Sequence, residues 1–336
     1  MSHPSAEVPG APGSAPVTDV HIHAIPASLV KRVESGHFPS VGVQRGERGL
    51  VYSFPGMAPS PPSLPAMGDF SRLAAFAAAE GIDRQLVGPW TDLLGYTLEP
   101  AEASVWTRAY NESLAAECSA RRGMVPMATI PLQFPDLAVR EMEAARDLGC
   151  RGVMAGTDIP GLDFDAAELD QVWEAAATLS MPFVVHPSFI CVPPRLRPRG
   201  LKNAVGRAGE GAVALTRLIY SGALLRHSGL AVIAALGGGG LVPLWRRIVR
   251  NQELGWAEAQ GDVEASLSRL LFDSMVVDPA YLHYLVRRVG ADRVMVGSDY
   301  PFPWEPHPVQ RVQAAGLSPE ETASVLGGTA ARVFRP

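Results

Sequence analysis

Eight short apolar runs, each but the last followed by a stretch of helical periodicity, set the tightest limit on what this chain can fold into. The runs predict strands at about 17–23, 85–87, 124–129, 152–154, 182–186, 230–235, 270–273 and 294–298. Amphipathic or alanine-rich stretches at 71–80, 102–122, 137–148, 166–179, 213–226, 244–254 and 280–289 predict the intervening helices. The first of these has Asp69 or Ser71 as its cap and Gly81 past its end. Strands alternating with helices, without hairpin signals, predict a parallel sheet, and eight repeats over this length predict a (β/α)8 TIM barrel rather than an open sheet.

Barrels of this kind reach this length as one unit, so 17–336 is read as a single catalytic domain. The segment 1–16 is rich in Pro, Ala, Ser and Gly, with neither a basic start nor an apolar centre, and reads as a disordered tail rather than a signal peptide. One stretch breaks the alternation. Between 26 and 69 glycines and prolines crowd together, which predicts a long irregular loop near the site that the first strand carries.

A metal centre is the chemistry this frame suggests. In Asp19-Val20-His21-Ile22-His23 the two imidazoles stand two residues apart on a strand, so they face one side together. The fifth strand ends at His186-Pro187, and the eighth ends at Asp299, where Pro301 and Pro303 forbid further ladder pairing. A parallel barrel gathers strand ends at one face, so His21, His23, His186 and Asp299 are expected to converge there on a divalent metal.

Composition excludes other classes. The net charge of −5 comes with no basic cluster that would suggest nucleic acid, and no apolar run reaches the length of a membrane span. Cys118, Cys150 and Cys191 are odd in number and far apart, which argues against a disulfide framework and suits a reducing cytoplasm.

His-x-His on the first strand, His186-Pro187 on the fifth and Gly297-Ser-Asp299-Tyr-Pro-Phe-Pro303 on the eighth together resemble the amidohydrolase superfamily. Within it the chain is most similar to the branch of 2-amino-3-carboxymuconate-6-semialdehyde decarboxylase and related nonoxidative decarboxylases. Ala128-Thr-Ile-Pro-Leu-Gln133, Gly152-Val-Met-Ala-Gly-Thr157 and Asp273-Ser-Met-Val-Val-Asp-Pro279 look like the same branch. The resemblance implies that His21, His23, His186 and Asp299 bind one divalent ion, zinc. It also implies a homodimer in which Arg247, after the glycine run, reaches the neighbouring subunit's site.

One departure stands out at the sixth strand. There the family has a histidine before a run of glycines, acting as acid or base, and this chain has Leu236 before Gly237 to Gly240. Leucine cannot move a proton, and a positioned acid or base contributes about 10²–10⁴-fold to rate. Three explanations stay open. The metal activates water alone; another group substitutes, with His307 the first candidate and His37 the second; or the reaction needs a Lewis acid without hydroxide.

The expected activity is metal-dependent nonoxidative decarboxylation of a small unsaturated or aromatic carboxylic acid, with Asp299 in the catalytic set. Arg45 or Arg48 of the long loop would bind the substrate carboxylate, because a guanidinium matches that group in two hydrogen bonds, and Phe302 would contact the substrate. The alternatives are metal-dependent hydrolysis of a C–N, C–C or lactone bond, a non-decarboxylating lyase or cyclase, and an inactive binding barrel. His3, His227 and His283 read as structural or solvent-exposed.

Overall fold

The computed structural model describes residues 15–335. All of the expected tail except Ala15 and Pro16 therefore lies outside the described residues.

Strand β1 (Thr18–Ala24) leads to helix α1 (Ala27–Glu34), the paired strands β2 (Gly42–Gly46) and β3 (Gly49–Ser53), and helix α2 (Phe70–Glu80). The alternation then runs β4 (Arg84–Pro89), α3 (Pro100–Ser119), β5 (Met124–Pro126), α4 (Pro135–Asp147), β6 (Val153–Gly156) and α5 (Asp170–Leu179). It continues with β7 (Phe183–His186), α6 (Arg207–Tyr220), β8 (Val232–Ala234), α7 (Leu241–Glu253), β9 (Leu271–Asp273), α8 (Pro279–Val289) and β10 (Val294–Met295), and α9 (Thr329–Val333) lies near the C-terminus.

Eight of these strands form a parallel ring. The ladder order is β1-β4-β5 in one part and β6-β7-β8-β9-β10 in the other. Parallel bridges Asp19 to Val296 and Ile22 to Tyr300 join β1 to the end of β10, and Ala128 to Val153 joins the end of β5 to β6. The TIM barrel closes through these two seams.

Each barrel strand or its end sends one apolar side chain into the interior: Val20, Leu86, Met127, Met154, Val184, Ile233, Leu271 and Met295 pack as one cluster with Ala330 and Phe334 of the C-terminal segment. Burial of such side chains contributes about 1.5–3 kcal/mol each, so this layer makes the ring a packed core rather than a pore. The helices face the ring with their apolar stripes. On α7 the buried residues Leu241, Val242, Trp245, Ile248 and Val249 recur at the helical period. At α2 the cap is Asp69, whose side chain accepts from the backbone N–H groups of Ser71 and Arg72, and Gly81 ends the helix in the left-handed conformation at φ 69°.

The stretch 26–69 is not the single irregular loop expected. It holds α1 and an antiparallel hairpin in which Gly42 pairs with Ser53 and Gly46 with Gly49. The turn residues are Glu47 and Arg48, without the Asn-Gly or Asp-Gly pair that marks a tight hairpin in sequence, so the pairing had no local signal. Among the described residues no helix is long and apolar enough to cross a membrane.

Candidate metal centre

The site begins with a bulge in β1. Asp19 pairs with Gln85 and Ile22 with Val87, so three steps on β1 oppose two on β4. The extra residue reverses the facing of the strand. Val20 therefore packs in the barrel interior, while Ile22 and Ala24 join the outer cluster between ring and helices. His21 and His23, fully buried, are left facing the lumen together. Asp19 holds the bulge. Its carboxylate accepts from the His21 N–H at 3.0 Å and from both the N–H and hydroxyl of Ser298. Burial pushes the Asp19 carboxyl up to about 7, against the pull of those hydrogen bonds.

His186 is the last residue of β7, and Asp299 follows β10 in the left-handed conformation at φ 58°, its N–H donating to His21 O at 2.9 Å. One donor atom from each of His21, His23, His186 and Asp299 lies within 4.8 Å of all the others. The three imidazole rings are mutually near-perpendicular, with interplanar angles of 83°, 83° and 84° and centroids 5.0–5.1 Å apart. They converge on a point.

Hydrogen bonds assign the tautomers. Nδ1 of His21 donates to Asp273 Oδ2 at 2.7 Å, Nδ1 of His23 to Pro89 O at 2.9 Å and Nδ1 of His186 to Pro187 O at 2.9 Å. A carboxylate and two carbonyls can only accept, so each Nδ1 carries hydrogen, and each ring in its neutral, metal-binding form turns a bare Nε2 inward. His21 Nε2 and His23 Nε2 are 3.2 Å apart, and Asp299 Oδ1 is 3.0 Å from His23 Nε2 and 3.4 Å from His21 Nε2. The Nε2 of His186 and Oδ1 of Asp299 are buried without a hydrogen-bond partner among the described residues. Four lone-pair donors this close repel one another, and a divalent cation between them turns that repulsion into coordination. The donor set fits such an ion.

Burial, with the charge of Arg207 adding to it, holds the His186 imidazole well below its ordinary range, which keeps it neutral. Burial pulls His21 down as well, but the carboxylates of Asp299 and Asp273 outweigh it and lift that imidazole. Asp273, itself fully buried, also accepts from the N–H groups of Leu236 at 3.1 Å, Gly237 at 2.7 Å and Met275 at 3.2 Å. Leu236 stands just past β8 at φ 57° and packs against the interior cluster.

The other expected site residues fall in several places. Phe302 meets His23 edge to face at 5.9 Å, at the rim of the centre. His307 does not join the donor cluster: its Nδ1 bonds Glu80 Oε1 at 2.9 Å at the end of α2, with the side chain 59% exposed. A buried carboxylate on the outer wall has captured it. Arg45 pairs with Glu34 at 2.5 Å with its side chain 72% exposed, and Arg48 is exposed at the hairpin turn. Neither touches the cluster. His37 is also exposed, past the end of α1. Arg247 is exposed on α7 beside a groove of about 680 Å³ shared with Leu244, Leu254 and Trp256. His227 bonds Asp170 at 3.0 Å and His283 bonds Ala315 O at 2.9 Å, as structural residues do.

Sequence reasoning passed over Arg207. It donates to Pro187 O, the carbonyl that also holds His186, and lies 3.9 Å from Asp92 Oδ1. The signal was available as a run of cations, Arg195, Arg197, Arg199, Lys202 and Arg207, uninterrupted by any acid.

The amidohydrolase family model matches residues 18–335. A 2-amino-3-carboxymuconate-6-semialdehyde decarboxylase from Dictyostelium discoideum is 26% identical over 264 residues, covering 75% of this chain and 72% of that protein. A gamma-resorcylate decarboxylase from Rhodococcus jostii (strain RHA1) is 27% identical over 256 residues, covering 68% of this chain and 76% of that protein. The crystal structure of a dihydroxybenzoic acid decarboxylase from Polaromonas sp. JS666, with bound manganese and the inhibitor 2-nitroresorcinol, has the same fold at TM-score 0.77. It is 19% identical and covers 96% of this chain and 97% of its own.

Proposed function

The chain belongs to the amidohydrolase family, and from that premise we propose that it is a metal-dependent nonoxidative decarboxylase of a small aromatic or unsaturated carboxylic acid. The observation that carries this reading is the convergence of three bare Nε2 atoms and Asp299 Oδ1 at the C-terminal face of the barrel. The decarboxylases among its relatives support the choice of reaction. Zinc is the proposed ion, because imidazole nitrogens and a carboxylate oxygen are its common donors. Held by His21, His23, His186 and Asp299, it would supply a Lewis acid for a substrate oxygen.

The chain's own residues do the rest. Phe302, against His23, offers an aromatic edge to a flat substrate. Asp299 is the acid–base group of the set and carries the proton. The bond between the ring or chain carbon and the carboxylate breaks, its electron pair stays on that carbon, the carbon takes the proton, and carbon dioxide leaves. Leu236, packed against the interior cluster, supplies no group that can move a proton. That counts against hydrolysis, which needs an activated water and a base to handle its proton and would have Asp299 alone for that base.

A homodimer with Arg247 facing the partner's site is part of the proposal, supported by the exposure of Arg247 among Leu244, Leu254 and Trp256. So is a reducing cytoplasm, supported by three free thiols. The test is product mass after incubating zinc- and manganese-loaded protein with muconate-type and hydroxybenzoate acids. Loss of carbon dioxide is the expected result. A product that has gained water would replace this reading with the hydrolase, and no turnover of any acid by loaded protein would favour a binding barrel.

A further inference from the structure

The segment between β7 and α6 carries Arg195, Arg197, Arg199 and Lys202, Arg207 opens α6, and no Asp or Glu lies among them. The chain as a whole is net negative at −5, so this is a local concentration of positive charge. Among the described residues only Arg207 of these five comes within ion-pair distance of a carboxylate, Asp92 at 3.9 Å.

Two of the others meet in one place. Arg197 and Lys202 line a cavity of about 590 Å³ together with Tyr52, Phe54, Asp92 and Phe189. Arg197 is fixed by its Nε donating to Val192 O at 2.9 Å, which leaves the rest of its guanidinium without an anionic partner. Lys202 is half-buried. Burial pulls its ammonium below the ordinary value, with Asp92 opposing and Arg207 adding to the fall. Asp92 is the one carboxylate at this cavity, and two cations, Arg207 and Lys202, draw on it.

A half-buried ammonium that shares its one carboxylate with Arg207 is under-compensated, and an incoming carboxylate relieves that cost through charge-assisted hydrogen bonds, with the exposed guanidinium of Arg197 beside it. The aromatic residues beside them suit a flat ring or conjugated chain. The cavity is also tied to the metal centre, since Arg207 bonds Pro187 O, the carbonyl that orients His186.

We propose that this segment anchors a second anionic group of the substrate: Lys202 and Arg197 hold a carboxylate remote from the one that leaves, so the chain selects dicarboxylic over monocarboxylic acids. The inference rests on the decarboxylase reading for the identity of the leaving group, and its test reads binding without turnover.

Cys191 supplies the readout. It lines the same cavity, 3.9 Å from Arg197 Nη2, and is exposed. Cys118 and Cys150 are buried, and burial pushes both thiols up to about 12, so neither competes for an alkylating reagent. Metal-loaded protein is treated with iodoacetamide in benzene-1,3-dicarboxylate or in benzoate, and alkylation at Cys191 is timed by peptide mass spectrometry. The dicarboxylate is expected to slow alkylation about tenfold at saturation while benzoate at equal concentration leaves it nearly unchanged. Lys202→Gln and Arg197→Gln should each raise the protecting concentration about tenfold, with metal content and Tm at wild-type values.

Equal protection by both acids overturns the proposal, as does protection that neither variant weakens. Should either glutamine variant misfold, Lys202→Arg keeps the charge and must retain selective protection; a folded Lys202→Arg protein that has lost it overturns the charge argument. Carbon dioxide release is scored separately. Selective protection without release from any dicarboxylate leaves the subsite standing and removes the decarboxylase reading, whereas release from benzoate as readily as from dicarboxylates removes the subsite.

Discussion

Asp273 accepts the Nδ1 hydrogen of His21 across a 2.7 Å hydrogen bond that joins two residues 252 positions apart, and both are fully buried. The same carboxylate takes the N–H groups of Leu236 and Gly237. It thereby fixes which nitrogen of His21 faces the centre and how the sixth barrel strand ends beside it.

Asp273→Asn follows directly. The amide keeps the shape and one acceptor but loses the charge that orients and strengthens the imidazole as a donor. Metal affinity should fall about 10–100-fold, measured by competition with a chromophoric chelator. An unchanged affinity would mean that Asp273 serves only the backbone turn.

Removing the metal should lower stability without unfolding the barrel, because the interior layer from Val20 to Met295 does not include the donor residues. At an ion concentration about 100 times Kd, the bound form gains about 2.7 kcal/mol over the stripped form. Calorimetry before and after dialysis against a chelator should show a lower Tm with native-like circular dichroism. His186→Ala should copy the stripped state and no longer retain a full equivalent of metal.

Leu236→His tests where the proton is handled. The position has φ 57°, a conformation that histidine adopts more readily than leucine, so the variant should fold. With Asp299 carrying the proton, carbon dioxide release should change far less than the about 10²–10⁴-fold that a positioned acid or base contributes. A gain of that size, at unchanged metal content, would instead mark the leucine as a lost catalytic group.

Trp256 is 74% exposed, with Leu244 at 43% and Leu254 at 41% beside Arg247. Sedimentation should give a dimer, and Trp256→Glu should dissociate it, since a stable contact of about 800 Å² per partner depends on its buried apolar anchors. Arg247→Ala should lower kcat/KM while leaving metal content unchanged. A fully active monomer would remove the shared-site arrangement.

What the sequence determined by itself was whatever neighbouring residues encode. Period-two placement put His21 and His23 on one face, strand-ending prolines marked Asp299, and the alternation of apolar runs with amphipathic stretches specified the eightfold barrel. Tertiary structure decided what depends on partners far along the chain. The extra residue between Asp19 and Ile22 is visible only against β4, and the hairpin from Gly42 to Ser53 is defined by pairing across a turn that lacks its usual residues. Glu34 took Arg45 and Glu80 took His307, each a carboxylate brought near by helix packing rather than by spacing. Arg207 reached Pro187 and Asp92 because barrel closure sets successive strand ends side by side. Charges and lone pairs act through space within a few ångströms, and only the closed ring fixes which of them are that near.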